Sequence, residues 1–204
     1  MALIHRATIS PTKAELLREW VPAQPWGGAD VELVGAYRFD DPDGEVGIET
    51  HVLATGDGRF LQAPLTYRGA PLAGADASLI CTMEHSVLGR RWIYDATRDP
   101  VYAHVLASVL LAGVGQAAEL VEGSDVPREP TVRVTASGAP AGVVPPLGGV
   151  SASSDGEATV LTSGDLRLVV RRRLDRDATA TDHRSTLTGT WSGTDEPVVL
   201  AYVD

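Results

Sequence analysis

The sequence predicts an α+β protein: a curved antiparallel β-sheet packed against one buried helix, followed by further strands. Three observations carry this. Apolar residues alternate at strand spacing through 31–67 and 78–96, and short Gly-, Asp- and Pro-rich turns interrupt them. Strands joined in sequence by such turns imply an antiparallel meander. The segment from Asp99 to Ala118 is apolar on nearly every side, which marks a helix enclosed by protein, here across the concave face of the sheet.

The elements follow in order. Leu3 to Ile9 reads as a short strand. Ser10 then caps a helix with Pro11 at its first position, and Leu16, Leu17 and Trp20 form its buried stripe. Pro22, Pro25 and Gly27-Gly28 close it. Val31 to Phe39 alternates, with Val31, Leu33, Gly35, Tyr37 and Phe39 on one face. Asp41-Pro42-Asp43-Gly44 turns the chain into Val46–Thr55, and Gly56-Asp57-Gly58 turns it into Phe60–Tyr67. Pro64 places that strand at an edge or a bulge. Ser78–His85 and Arg91–Ala96 form a hairpin through Leu88-Gly89. Asp99 caps the second helix, with Pro100 at its first position. After a connector at 119–130 come a strand at 131–136, an irregular and mobile loop at 137–157, and strands at 158–162, 166–174, 186–191 and 197–203. Asp175 to Arg184 is a polar loop.

At 204 residues the chain accommodates one large domain or two small ones; the reading divides it into 1–122 and 123–204. The net charge of −10 argues against nucleic acid and anionic membranes as partners. A single cysteine, Cys81, excludes a disulfide framework and reads as a small apolar residue. The start carries no apolar core of a signal peptide, and no run approaches the ~20 apolar residues of a spanning helix, so the expected location is the cytoplasm.

No catalytic motif is complete. Glu84-His85 offers acid–base chemistry, but neighbours on a strand point to opposite faces. His51 could meet His85 across the sheet near Glu49, although nothing in the spacing requires a metal. Arg90-Arg91-Trp92-Ile93-Tyr94-Asp95 has the residue types of a strand that contacts anions or sugars: planar guanidinium forks with aromatic faces. The alternative is a hairpin strand with Trp92 and Tyr94 on the core and Arg91 and Asp95 in solvent. Arg171-Arg172-Arg173 reads as a charge run with two of its three side chains solvated. The expected binding residues are Glu84, His85, Arg90, Arg91, Trp92, Tyr94 and Asp95, with no catalytic residue, metal or cofactor.

The stretches LQAPLTYRGAPL (61–72), ASLICTMEHSVLGRRWIYDATRDPVY (77–102) and HRATISPTKAELLREWVPAQPW (5–26) resemble the N-terminal cap domain of actinobacterial maltokinases and its stand-alone relatives, some labelled glucan-branching proteins. The resemblance covers roughly residues 1 to 120. It implies a cystatin-like cap, a curved sheet with a helix packed on it. EATVLTSGDLRLVVRRRLD (157–175) looks like the first strands of the kinase lobe that follows the cap, here a truncated one. The position of the phosphate-binding strand lysine falls on Val169 or Val170, and the 30 residues after Leu174 hold no catalytic loop or metal-binding Asp motif. The resemblance therefore implies a non-catalytic binding or regulatory module of trehalose, maltose and glycogen metabolism, with a protein partner in that pathway. The alternative is a small sugar- or sugar-phosphate-binding protein or enzyme using the Arg90–Asp95 strand. A third reading is a homodimer joined through the sheet's edge strand.

Overall fold

The computed structural model describes residues 2–138, 142–174, 183, 185–194 and 196–204. After β1 (Ala2–Ile4) and β2 (Ile9–Ser10) comes α1 (Lys13–Trp20). Its cap lies two residues beyond the predicted Ser10. The Thr12 hydroxyl accepts from the Glu15 N–H at 3.3 Å, while the Glu15 carboxylate accepts from the Thr12 N–H at 2.8 Å. Thr12 wins because the residue three positions on is Glu15; Ser10 has Lys13 there and cannot reciprocate.

The first large sheet continues with β3 (Glu32–Phe39), β4 (Gly47–Ala54), β5 (Phe60–Arg68), β6 (Leu79–His85) and β7 (Gly89–Asp95). Its order is β2-β6-β7-β5-β4-β3. The predicted meander holds for β3 to β5 and then breaks. The loop at 69–78 carries the chain past one strand position, so β7 and not β6 pairs with β5. The predicted face of β3 also breaks. A bulge between Leu33 and Gly35 leaves Gly35, Tyr37 and Phe39 inward and Leu33 exposed. Asp41 secures the β3–β4 turn by accepting from the N–H groups of Asp43, Glu45 and Val46.

Pro64 is neither at an edge strand nor in a bulge. β5 pairs with β4 from Phe60 to Tyr67, but with β7 only through Leu65–Arg68. Its first half faces the C-terminal segment instead: Gln62 N–H donates to Arg172 C=O and Leu174 N–H to Phe60 C=O. Pro64 sits where β5 changes partner, and its missing N–H falls on that side of the strand.

α2 (Pro100–Ala112) starts as predicted, with the Asp99 carboxylate accepting from the Val101 N–H at 3.0 Å. It stops six residues earlier than predicted, because Gly113 takes a left-handed φ of 68°. Then follow β8 (Glu119–Val121), β9 (Pro127–Arg128), β10 (Val132–Ala136), β11 (Ser151–Ser154), β12 (Ala158–Ser163), β13 (Leu166–Arg171), β14 (Ser185–Trp191) and β15 (Val198–Val203). β8 and β9 fall within the predicted connector and form a small sheet with β1, and β11 adds an edge strand inside the predicted irregular loop. The second large sheet is antiparallel, in the order β10-β14-β15-β13-β12-β11. Of the predicted polar loop, 175–182 and 184 lie outside the described residues, as do 139–141 of the loop at 137–157.

The α+β prediction with a curled antiparallel sheet and a buried helix holds. α2 is apolar all round because both large sheets cover it. Tyr37, Phe39, Ile48 and Val52 of the first large sheet, Leu106 and Leu110 of α2, and Leu161, Leu168, Leu187 and Leu200 of the second sheet form one core. A second core lies on the opposite face of the first large sheet, where Leu16, Leu17 and Val21 meet Leu53, Leu61, Ala63, Leu65, Met83 and Ile93. Two side chains close the strand edges at the junction of the sheets. Thr131 Oγ1 accepts from Ala36 N–H of β3 and donates to its C=O. Gln116 does the same for β10, donating to Val132 C=O and accepting from Val134 N–H. No described helix is long and apolar enough to cross a membrane.

Candidate functional site

The strand period of two divides β4 between the cores. Ile48 and Val52 face α2, while Glu49 and His51 face the α1 side. Arg38 is directly opposite Glu49, Tyr67 opposite Gly47, and Arg91 opposite Met83, so these side chains share that face. α1 has only eight residues, about 12 Å of helix, and cannot cover the whole width of a six-stranded sheet. The uncovered part is a pocket of about 480 Å³ bordered by Lys13, Arg38, Glu49, Tyr67, Met83 and Arg91, with His5, His85 and the β3–β4 turn at its margin. That volume lies in the range of small-molecule sites.

The charges in this pocket are organised around Glu49, which is 5% exposed. Lys13, the first residue of α1 and the only lysine in the chain, donates to Glu49 Oε2 at 2.5 Å. Lys13 also stands over the Tyr67 ring, 5.7 Å from its centroid. Burial works against the Glu49 carboxylate, but His51, Lys13 and Arg38 outweigh it and hold its pKa down to about 2. His51 is fully buried beneath, with Nε2 3.0 Å from the Tyr67 hydroxyl and Nδ1 without a partner. Burial pushes His51 down to about 4 against the attraction of Glu49, so the ring is neutral at pH 7. Burial lifts the Tyr67 hydroxyl well above its usual range, and Glu49 adds to the shift. At neutral pH the pocket floor therefore presents a carboxylate, an ammonium, two guanidinium groups and neutral donors and acceptors. Such a set can orient hydroxyls and an anion.

The structure separates the seven predicted binding residues. His85 and Arg91 border the pocket. His85 Nδ1 accepts from the N–H groups of Val87 and Leu88, so its ring caps the β6–β7 turn; burial, then His5, Arg91 and Lys13, lower its pKa. Glu84 and Arg90 form an exposed pair at 2.6 Å. Trp92 and Tyr94 alternate onto the other face, where Tyr94 is buried and its hydroxyl accepts from Leu72 N–H. Asp95 is bound to Arg172. Among the described residues no group of three or more His, Cys, Asp or Glu side chains is placed to hold a metal, so His51, His85 and Glu49 do not form the conceivable cluster. Cys81 is partly buried against the α1 core, and burial raises its thiol pKa. Lys13, Arg38, Glu49 and Tyr67 carry no mutual sequence spacing that marks a site. The one available signal was the register, since Glu49 and Arg38 pair across a hairpin whose turn was legible.

Residues 20–99 match the family model of the maltokinase N-terminal cap domain. Arg38, Glu49, Tyr67, Met83 and Arg91 lie inside the matched segment and Lys13 outside it. No curated protein matches the chain. Among solved structures, it is similar to one described as "Glucosamine kinase in complex with glucosamine, ADP and inorganic phosphate", with 16% identity and a TM-score of 0.47. That match covers 95% of this chain, which spans 40% of the length of that kinase chain.

Proposed function

We propose, taking residues 20–99 as a maltokinase-type cap domain, that this chain is a non-catalytic ligand-binding module of trehalose, maltose and glycogen metabolism. It works in the cytoplasm and acts as a regulatory partner of an enzyme in that pathway. The observation that carries the reading is the pocket. A buried Glu49 anchored by Lys13, beside Tyr67, Arg38 and Arg91, combines acceptors, donors and an aromatic face in a space that fits one or two sugar rings. Phosphoryl transfer depends on positioned cations. Val169 or Val170 stands at the expected lysine position, both are buried, and the only lysine of the sequence is engaged with Glu49.

Calorimetry with maltose, maltose 1-phosphate and trehalose tests this reading. Micromolar binding of at least one is expected, weakened at least tenfold in Lys13→Ala and Glu49→Gln while both variants still unfold cooperatively. Absence of binding by all three, or binding unchanged in both variants, would overturn it. The regulatory half is tested by capture of the pathway's enzymes on immobilised full-length chain, and a clean negative across them would overturn that half.

A further inference from the structure

We infer that the ligand of this pocket carries an oxyanion, a phosphate or carboxylate on a small polyhydroxy body, held by Arg38 and Arg91. The inference rests on the reading of the pocket as a sugar site and adds the chemistry of the group that enters first.

In a chain with 27 acidic and 17 basic residues, basic side chains find carboxylates easily. Arg68, Arg90, Arg167, Arg172 and Arg173 each hold one. Arg38 and Arg91 border the same pocket, and among the described residues neither forms an ion pair with a carboxylate. The Nε atom of each is buried without a hydrogen-bond partner. Glu49 is paired directly with Lys13 and acts on Arg38 only through its field, so neither guanidinium has a carboxylate at ion-pair distance among the described residues. A buried guanidinium N–H without an acceptor is costly, and an oxyanion supplies acceptors in the geometry of the fork.

Arg91 Nη2 donates to the Leu88 C=O at 2.9 Å, so the unsatisfied edge of its fork is Nε. A Cβ on Gly69 would stand 3.0 Å from Arg91 Nη1, and one on Gly47 would stand 3.7 Å from Arg38 Nη2. A side chain at Gly69 would require the Arg91 guanidinium to shift. The margin has the opposite sign: Asp41 is fixed by its turn N–H groups, and Glu45 is exposed beside it. Carboxylates there accept from hydroxyls and repel a second anionic group. The arrangement therefore selects one oxyanion attached to a hydroxyl-bearing body and disfavours polyanions.

The test is calorimetry of the full chain with glucose, glucuronate and glucose 1-phosphate. At least one charged sugar should bind tenfold or more tightly than glucose, and whichever is preferred names the group. Arg38→Gln and Arg91→Gln should each reduce that preference to threefold or less. Arg167→Gln, a charge loss on the distant surface, should retain it, and urea midpoints verify that the variants are folded. Equal affinity for all three sugars, or a preference that survives both pocket variants, would overturn the inference while leaving the sugar site standing. Failure of all three sugars to bind would overturn the inference, while the sugar-site reading falls only with maltose, maltose 1-phosphate and trehalose.

Discussion

Asp95 and Arg172 are 77 residues apart in sequence, and Arg172 Nη2 donates to both carboxylate oxygens of Asp95, at 2.7 and 2.6 Å. Arg172 is 1% exposed. Its Nε donates to Thr159 Oγ1, its Nη2 also reaches Thr97 Oγ1, and its guanidinium carbon lies 4.6 Å from the centroid of the Trp26 ring. One side chain therefore ties the end of β7, the start of the turn before α2, β12 and the chain after α1.

Removing one partner of a buried ion pair leaves the other charge stranded, at about 3–5 kcal/mol. Arg172→Met and Asp95→Asn should each lose stability on that scale in urea unfolding. The double variant should lose less than the sum, since neither charge then remains. Single variants within about 1 kcal/mol of the wild type would show that the pair is dispensable.

Gln62 joins the sheets through its side chain. It is buried, donates through Nε2 to Arg171 C=O at 2.5 Å and Leu200 C=O at 2.6 Å, and accepts from the Tyr37 hydroxyl at 3.1 Å. Gln62→Leu strands a hydroxyl and two carbonyls, and each stranded group costs about 1–3 kcal/mol. Gln62→Glu should be at least as damaging, because a carboxylate cannot donate to carbonyls. Thermal melts of the two variants decide the order, and a more stable Gln62→Glu would contradict this assignment of the amide.

Acid should destabilise the protein in two stages. His51 has its pKa lowered by folding from 6.5 to about 4, so the unfolded chain takes up the proton first. Its contribution is complete above pH 6.5 and fades between 6.5 and 4. From pH 7 to 4.5 the loss should be about 2 to 3 kcal/mol. Glu49 has its pKa lowered from 4.5 to about 2, so its contribution is present above 4.5 and fades below it. Urea midpoints across this range should show the first decline in the wild type and its absence in His51→Gln. A flat wild-type profile between pH 7 and 5 would refute the burial of a neutral ring.

Gly35 stands against the second sheet. A Cβ there would lie 2.9 Å from both Thr131 Oγ1 and Val132 Cγ2. Gly35→Val should cost about 1–3 kcal/mol by overpacking that junction. Gly44→Ala, in open space, meets only the strain of its φ of 72° and should cost less.

The local rules of the sequence were legible. Asp99 and Pro100 started α2 where expected, and Asp41–Gly44, Gly56–Gly58 and Leu88-Gly89 turned the chain where expected. What was not legible depended on partners distant in sequence. β7 beside β5 follows from how a hairpin docks, not from its residues. Arg172 looked like one charge in a solvated run until Asp95 and Trp26 enclosed it. The pocket gathers residues of α1, β3, β4, β5 and β7, and no spacing within one segment announces such a site. Trp92 and Tyr94 drew attention because aromatic residues beside arginines suggest recognition, yet the pleat sends them away from Arg91.

Thr131 already occupies both backbone groups of Ala36 on β3, and Gln116 the Val132 C=O and Val134 N–H of β10, groups that would otherwise meet an incoming strand. Growth of either sheet by strand addition is blocked at that junction. Among the described strands, two copies meeting ladder to ladder would be left with the short β1, β2 and β9 or the serine-rich β11, where Arg98 already holds the Ala152 carbonyl. Self-association in solution would therefore depend on side-chain surfaces, and fibrillar stacking has little exposed template on which to begin.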